Sequence, residues 1–395
     1  MAPQTCINSS AFVLYFPDTV RVAGETIHGR VELNVARAQD EGIENLSVNL
    51  KGSIETTIVE PNSDGSNTEH ERTVELVNIC KPLWDRGTAF PDPGSHSLVF
   101  LFQFRLPDNL PPSFNISTLH HKASITYALE VIGRRPGRLL RKDRQIRQVF
   151  MVLPTASPAQ ILARTSLKRG WDGAWKTSSV EQKIRQGIWG DHSHVRAEVQ
   201  LPDLTSLPRA TAFPLKVYIE TCTKSMSRTA TPFDKHSKPL FPAPPQSAEV
   251  KLSFQREANI LTRRRKGTAM DSIQLLGGLG DPASSSVQCT AEEPEWVPDP
   301  EKEDRGVWKR AVRFETTVSL PFAPTFRTET IECKYSLHFA VSFPGIGNDV
   351  KLDVPIRLDP SHAATKNYAD FPPAGRPPLL DLPPSYWTLN NVNQQ

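Results

Sequence analysis

Cysteine is scarce and never paired at short spacing. Five residues, Cys6, Cys80, Cys222, Cys289 and Cys333, lie far apart with no CxxC among them. An odd, dispersed set of thiols excludes a disulfide framework or a zinc ribbon and fits a reducing compartment. Long apolar runs are missing too: no stretch approaches the roughly 20 residues that cross a bilayer, and Met1–Phe16 lacks the basic and apolar regions of a secretory leader. The glycosylation-like triplets at Asn8, Asn45 and Asn115 then read as chance. No GxSxG, Walker A, GxGxxG or HExxH occurs. The pairs His120-His121 and His192-Ser193-His194 have no Cys or carboxylate at ligand spacing. The expectation is a soluble cytoplasmic chain, not an enzyme, with no metal and no cofactor. A formal net charge of +3 gives no reason to expect nucleic acid as a partner.

What the chain has instead is proline, 35 residues in 395, which helices and central strands tolerate poorly. The length exceeds what one hydrophobic core usually serves, so two domains are expected. Period-two alternation dominates. Ile27, Val31, Leu33 and Val35 share one side of an extended segment with Gly29; Leu46, Val48, Leu50 and Ile54 form a second run. Leu98, Phe100, Phe102, Phe104 and Leu106 form a third, and Ile125, Tyr127, Leu129 and Val131 a fourth. The second half repeats this from Val195–Leu201 and Phe213–Ile219 to Ile331–Val341 and Val350–Leu358. Each run has one apolar and one wet face, as in the sheets of a sandwich. The only fair helical candidate is the short stretch Ser178–Ile188. The fold class is all-β.

An internal echo divides the chain. Leu106-Pro107, Pro112-Ser113-Phe114, Tyr127-Ala128-Leu129 and Leu153-Pro154 return as Leu320-Pro321, Pro324-Thr325-Phe326, Tyr335-Ser336-Leu337 and Val354-Pro355. Two related sandwiches in tandem account for it. The expected boundaries are a first sandwich over 1–155, a linker over 156–176, a second sandwich over 177–360 and a tail over 361–395. Alternation fails over about 255–308, where Gly277-Gly278, Ser284–Ser286 and the acidic Glu292–Asp304 predict a mobile insertion. The tail carries Pro372-Pro373, Pro377-Pro378 and Pro383-Pro384 and no alternation, which predicts a disordered, polyproline-like segment suited to recognition.

At these positions the chain resembles the arrestin family, in its α-arrestin (arrestin-related trafficking adaptor) branch of fungal type. Val20-Arg-Val-Ala-Gly24-Glu25 resembles the family's opening turn, with Ala23 where proline is usual. Phe102–Pro107 through Leu110–Phe114 is similar to the N-domain hallmark. Gly187-Ile-Trp189-Gly190 and Leu201-Pro202 resemble the start of the C-domain, and Leu320–Leu358 its end. The resemblance covers about residues 12–155 and 175–360. It implies two tandem arrestin-like, immunoglobulin-like sandwiches without a catalytic centre. It also implies an adaptor, recruited peripherally to plasma membrane or endosomes, that joins cytosolic tails of transporters or receptors to a WW-domain HECT ubiquitin ligase.

Leu382-Pro383-Pro384-Ser385-Tyr386 is the sharpest linear signal. A polyproline stretch is already ordered and loses little entropy on docking, so Pro383 and Pro384 suit an aromatic groove and Tyr386 an adjacent pocket, with Leu382 extending the contact. A four-residue pattern also occurs by chance in Pro-rich tails. Pro111-Pro112-Ser113-Phe114 is no second copy, because Phe114 lacks the hydroxyl. A hairpin carries Arg134, Arg135, Arg138, Arg141, Lys142, Arg144 and Arg147; two readings stand, an anionic-lipid or phospho-tail contact and a solvated guard of a sheet edge. Arg263–Lys266 reads as a solvated charge run, or as a nuclear signal or membrane contact. Leu379–Leu382 only loosely suggests a clathrin-binding box, since Pro383 stands where an acid is expected. Trp171, Trp175 and Trp189 are expected to pack at the domain junction. Three readings stand: a ligase adaptor, a sorting or signalling scaffold that acts without a ligase, and an enzyme on a β-sandwich, for which the sequence offers no constellation of acids, bases or metal ligands.

Overall fold

The computed structural model describes residues 4–8, 11–136, 142–185, 192–229, 246–273, 279, 287–344 and 347–360. The first sandwich pairs a four-stranded sheet with a five-stranded one. The smaller sheet runs Gln4–Asn8, Phe12–Pro17, Thr26–Asn34, Ser97–Arg105; the larger runs Arg144–Phe150, His121–Arg134, Asn45–Pro61, Asn67–Asp85, with Phe114–Ser117 added on His121–Arg134. The alternating runs supply the layer between them: Ile27, Val31, Leu33, Leu46, Val48, Leu50, Ile125, Tyr127, Leu129 and Val131 are all buried. Each fully buried Leu or Ile contributes about 1.5–3 kcal/mol relative to exposure. Gly52 sits at a bulge of Asn45–Pro61, and a Cβ there would run into the Tyr127 ring and Val77, so the bulge lets the ring close the core.

The second sandwich repeats the plan. One sheet runs Trp175–Arg185, His192–Pro202, Phe213–Cys222, Lys302–Val318, and the long last strand also pairs with Met226–Ser227, Gln288–Ala291 and Glu295–Asp299. The other runs Lys266–Ile273, Val250–Leu261, Ile331–Ser342, with Asp349–Ile356 and Phe326–Arg327 also on Ile331–Ser342. Phe254 stacks between Phe322 and Tyr335, with ring centroids 4.8 and 5.0 Å away.

The echo in the sequence is an echo in hydrogen bonds. The Tyr127 hydroxyl donates to the Pro111 carbonyl at 2.7 Å, and the Tyr335 hydroxyl to Ala323 at 2.9 Å. Ser113 exchanges bonds with Val152 as Thr325 does with Leu358. The only parallel pairs among the described strands also correspond: Val152–Leu153 with Arg21–Val22, and Leu358–Asp359 with Leu207–Pro208. Both sandwiches are therefore closed by the same device, a last strand laid parallel to a two-residue strand near the start.

Three expectations give way. The linker contains a helix, and the first sandwich a short one. Helix α1, Val35–Glu41, is capped by Asn34 and ends at Gly42 in the left-handed region; Val35, expected to continue a strand, is its first residue. Helix α2, Pro158–Arg169, starts with a capping box between Ser157 and Gln160 and Pro158 in its first turn. Conversely, the helical candidate Ser178–Ile188 falls on the strand Trp175–Arg185, whose Val180 and Ile184 alternate with polar residues along a sheet edge. Within 255–308, expected to be mobile, the described residues hold the end of Val250–Leu261, then Lys266–Ile273, Gln288–Ala291, Glu295–Asp299 and the start of Lys302–Val318; Gly277-Gly278 and Ser284–Ser286 lie outside the described residues. The alternation there is hidden because Arg256 interrupts the buried face of Val250–Leu261, which small Ala258 and, across the ladder, Ala269 then continue, while Asn259 and Thr268 take the other positions. The tail lies outside the described residues.

Candidate functional site

The basic hairpin is partly neutralised from within. Arg135 is buried, its guanidinium paired with Glu41 at the end of α1 and its backbone N–H donating to Asp143 at 2.9 Å. Arg144 Nε reaches the same Glu41 oxygen at 2.6 Å. Arg147 pairs with Glu130 at 3.3 Å, and Lys51 holds the other oxygen of that carboxylate at 2.8 Å. Two carboxylates thus tie down three of the cations and fix the hairpin to the sheet. Arg134 and Lys142 are exposed, without an ion pair among the described residues. Arg138 and Arg141 lie outside the described residues, as do Leu382, Pro383, Pro384 and Tyr386 of the tail motif.

The sandwiches meet along a seam that the sequence did not announce. The hairpin Asn45–Pro61/Asn67–Asp85 reaches the second sandwich, where Glu60 accepts from Arg265 at 2.9 Å while its other oxygen faces His70 at 3.3 Å. Arg72 pairs with Glu329 at 3.1 Å, and the buried Thr56 hydroxyl lies 3.4 Å from the Leu261 carbonyl. Phe114 meets Phe326 edge to face at 5.1 Å. The Arg256 guanidinium, held bidentately by Asp271, lies 5.3 Å above the Phe114 ring. Gly267 packs so closely on the His121 ring that a Cβ would collide with it. Arg265, read as part of a solvated run, is thus a cross-domain ion-pair donor. Phe114 and Phe326 echo each other in sequence, but nothing there says that they touch.

Other candidates disperse. Trp171 is partly buried and packs on the core, with its N–H on Ala174; Trp175 carries Lys216 at 4.6 Å over its ring; Trp189 lies outside the described residues. His192 and His194 stack edge to face at 5.8 Å. Among the described residues, no three His, Cys, Asp or Glu side chains converge as a metal site. Cys80, Cys222, Cys289 and Cys333 are free thiols. Burial, reinforced by the Glu220 carboxylate, pushes Cys222 up to about 11; burial pushes Cys333 up to about 11 as well, so neither is a nucleophile at neutral pH. On the second sandwich Glu198, Gln200, Lys216, Tyr218 and Arg313 line a half-open hollow of about 340 Å³. Its lining charges are mixed. No described helix is long and apolar enough to cross a membrane.

The described chain is two antiparallel sandwiches in tandem, joined by a short helix. Residues 11–157 match the family model described as arrestin (or S-antigen), N-terminal domain. The match spans the first sandwich, which is therefore of the arrestin N-terminal type. No curated protein matches it.

Proposed function

We propose that this chain is a non-enzymatic adaptor of the α-arrestin branch, of fungal type. It links a membrane transporter or receptor to a WW-domain HECT ubiquitin ligase for ubiquitination and endocytosis. One conjunction carries the reading: an arrestin N-terminal domain over residues 11–157, and Leu382-Pro383-Pro384-Ser385-Tyr386 some twenty residues beyond the last strand, Leu358–Asp359. The sandwiches read the cargo tail and the C-terminal segment supplies the ligase contact, so neither partner needs a catalytic group from this chain. Peripheral recruitment to plasma membrane or endosomes follows from where the cargo sits. Exposed Arg134 and Lys142, with Arg138 and Arg141, are the hairpin cations offered to an acidic or phosphorylated cargo tail or to anionic lipid.

The test is capture of a multi-WW HECT ligase by the full-length chain and by Pro384→Ala/Tyr386→Ala. The adaptor reading expects binding that the double substitution removes. A second reading, an arrestin-fold scaffold acting without a ligase, is favoured by the presence of a single PPxY motif, which forgoes avidity for tandem WW domains. Equal or absent capture by both forms would select it.

A further inference from the structure

We propose that α2, the helix between the sandwiches, is a membrane-contact element whose outward face docks on an anionic phospholipid bilayer. Leu167 is its buried anchor. At 100° per residue the side opposite Leu167 carries Pro158, Ile161, Leu162, Thr165, Lys168 and Arg169. Ile161 is 38 % and Leu162 68 % exposed, so two adjacent branched aliphatics face water. Lys168 and Arg169 are exposed and have no ion pair among the described residues. No Asp or Glu occurs anywhere from Arg144 to Trp171, so the helix itself offers these cations no carboxylate.

A helix that merely joined two domains would need polar residues on its wet side. The macrodipole accounts for cations in the last turn, but not for Ile161 and Leu162 in the first half. Aliphatic side chains flanked by cations on one face match the boundary between acyl chains and acidic headgroups, where both are favourable together. Placement supports the same occupant. α2 packs on Leu207–Pro208, which pairs with Leu358–Asp359, so the chain leaves the second sandwich at Pro360 close to α2. A bilayer-seated α2 holds the start of the tail next to the membrane. The inference does not depend on ligase recruitment by that tail.

The experiment is co-sedimentation of the full-length chain with phosphatidylcholine vesicles, with and without phosphatidylserine, at low and physiological salt. Wild type is expected to bind the phosphatidylserine vesicles, more tightly at low salt. Ile161→Gln/Leu162→Gln and Lys168→Glu/Arg169→Glu are each expected to weaken partitioning about ten-fold or more. Val99→Gln/Leu101→Gln, at the other exposed aliphatic pair, is expected to stay within about two-fold, since Glu32 stands opposite Val99 and the cation opposite Leu101, Arg30, is engaged over the Tyr15 ring. All four substituted α2 side chains are exposed, and unchanged thermal melts will show that the variants fold. Wild type bound to no vesicle would overturn the proposal, including the case in which a soluble protein covers this face. So would α2 variants that bind like wild type. Loss confined to Arg138→Glu/Arg141→Glu/Lys142→Glu would move the membrane contact to the basic hairpin and equally overturn it.

Discussion

Ala210 occupies in the second sandwich the place that Gly24 occupies in the first. The Gly24 N–H donates to Pro107 and the Ala210 N–H to Leu320, each just before the strand that crosses the parallel closing pair. Gly24 has φ +83°, and Ala210, at φ 51°, is the only non-glycine with positive φ among the described residues. The left-handed region costs an L-residue about 1–2 kcal/mol, whereas glycine pays a smaller entropic cost.

Ala210→Gly is accordingly expected to stabilise the protein by up to about 1 kcal/mol. Gly24→Ala should destabilise it by about 2 kcal/mol, because strain adds to a collision with the Asp108 carboxylate. Thermal denaturation of both variants decides the point. A lower melting temperature for Ala210→Gly would mean that the left-handed turn is not strained.

Tyr127→Phe keeps the ring and removes the hydroxyl that satisfies Pro111. The bond is part-buried, where a hydrogen bond contributes about 0.5–1.5 kcal/mol net, so a loss of that order is expected, with a similar loss for Tyr335→Phe through Ala323. The two sites lie in separate cores, and their effects should add. Urea titration of the single and double variants measures this; a strongly non-additive double would mean that the two sites are coupled across the seam.

Asp359 is a buried carboxyl that burial lifts to about 6, against a smaller opposing effect of the Ser206 hydroxyl at 2.9 Å. A folded pKa above the unfolded value means that the neutral form favours folding. That contribution is complete below about pH 4 and is lost as pH rises through about 6. Asp359→Asn should therefore stabilise the protein at pH 7.5 by about 1–2 kcal/mol, allowing for partial solvation, and the advantage should vanish by about pH 4–5. A difference independent of pH would show that Asp359 does not titrate in this range.

Thiol reactivity should divide by exposure. Cys80 and Cys289 are exposed, while Cys222 and Cys333, pushed up to about 11, are about 0.1 % thiolate at pH 8. Brief maleimide labelling followed by peptide mapping should find the first pair modified and the second untouched. Rapid labelling of Cys333 would mean that the second core opens readily.

The sandwiches were legible because alternation is a local signal repeated many times, and the duplication because Tyr127 and Tyr335 sit in matching frames. Helix α2 is spelled at its start by Ser157, Pro158 and Gln160, but a helix with a single buried residue carries little apolar periodicity to mark the rest. Ser178–Ile188 reads as helical because the edge strand it overlaps, Trp175–Arg185, has few buried positions and so a weak alternation. The seam was out of reach for another reason. Thr56 and Leu261, or Arg72 and Glu329, are joined only by folding, and no spacing along the chain links them. A linear motif such as Pro383–Tyr386 is readable without any fold, which is why the tail spoke first.

The long hairpin Asn45–Pro61/Asn67–Asp85 is rooted in one sandwich, and its far part is bonded to the other through Glu60, Thr56 and Arg72. A cross-linked ladder of this length behaves as a stiff cantilever. Tilting one sandwich against the other therefore strains these few bonds together instead of bending the arm. Such a joint is expected to hold one angle under small loads and to give way at once when a load exceeds what these bonds carry together.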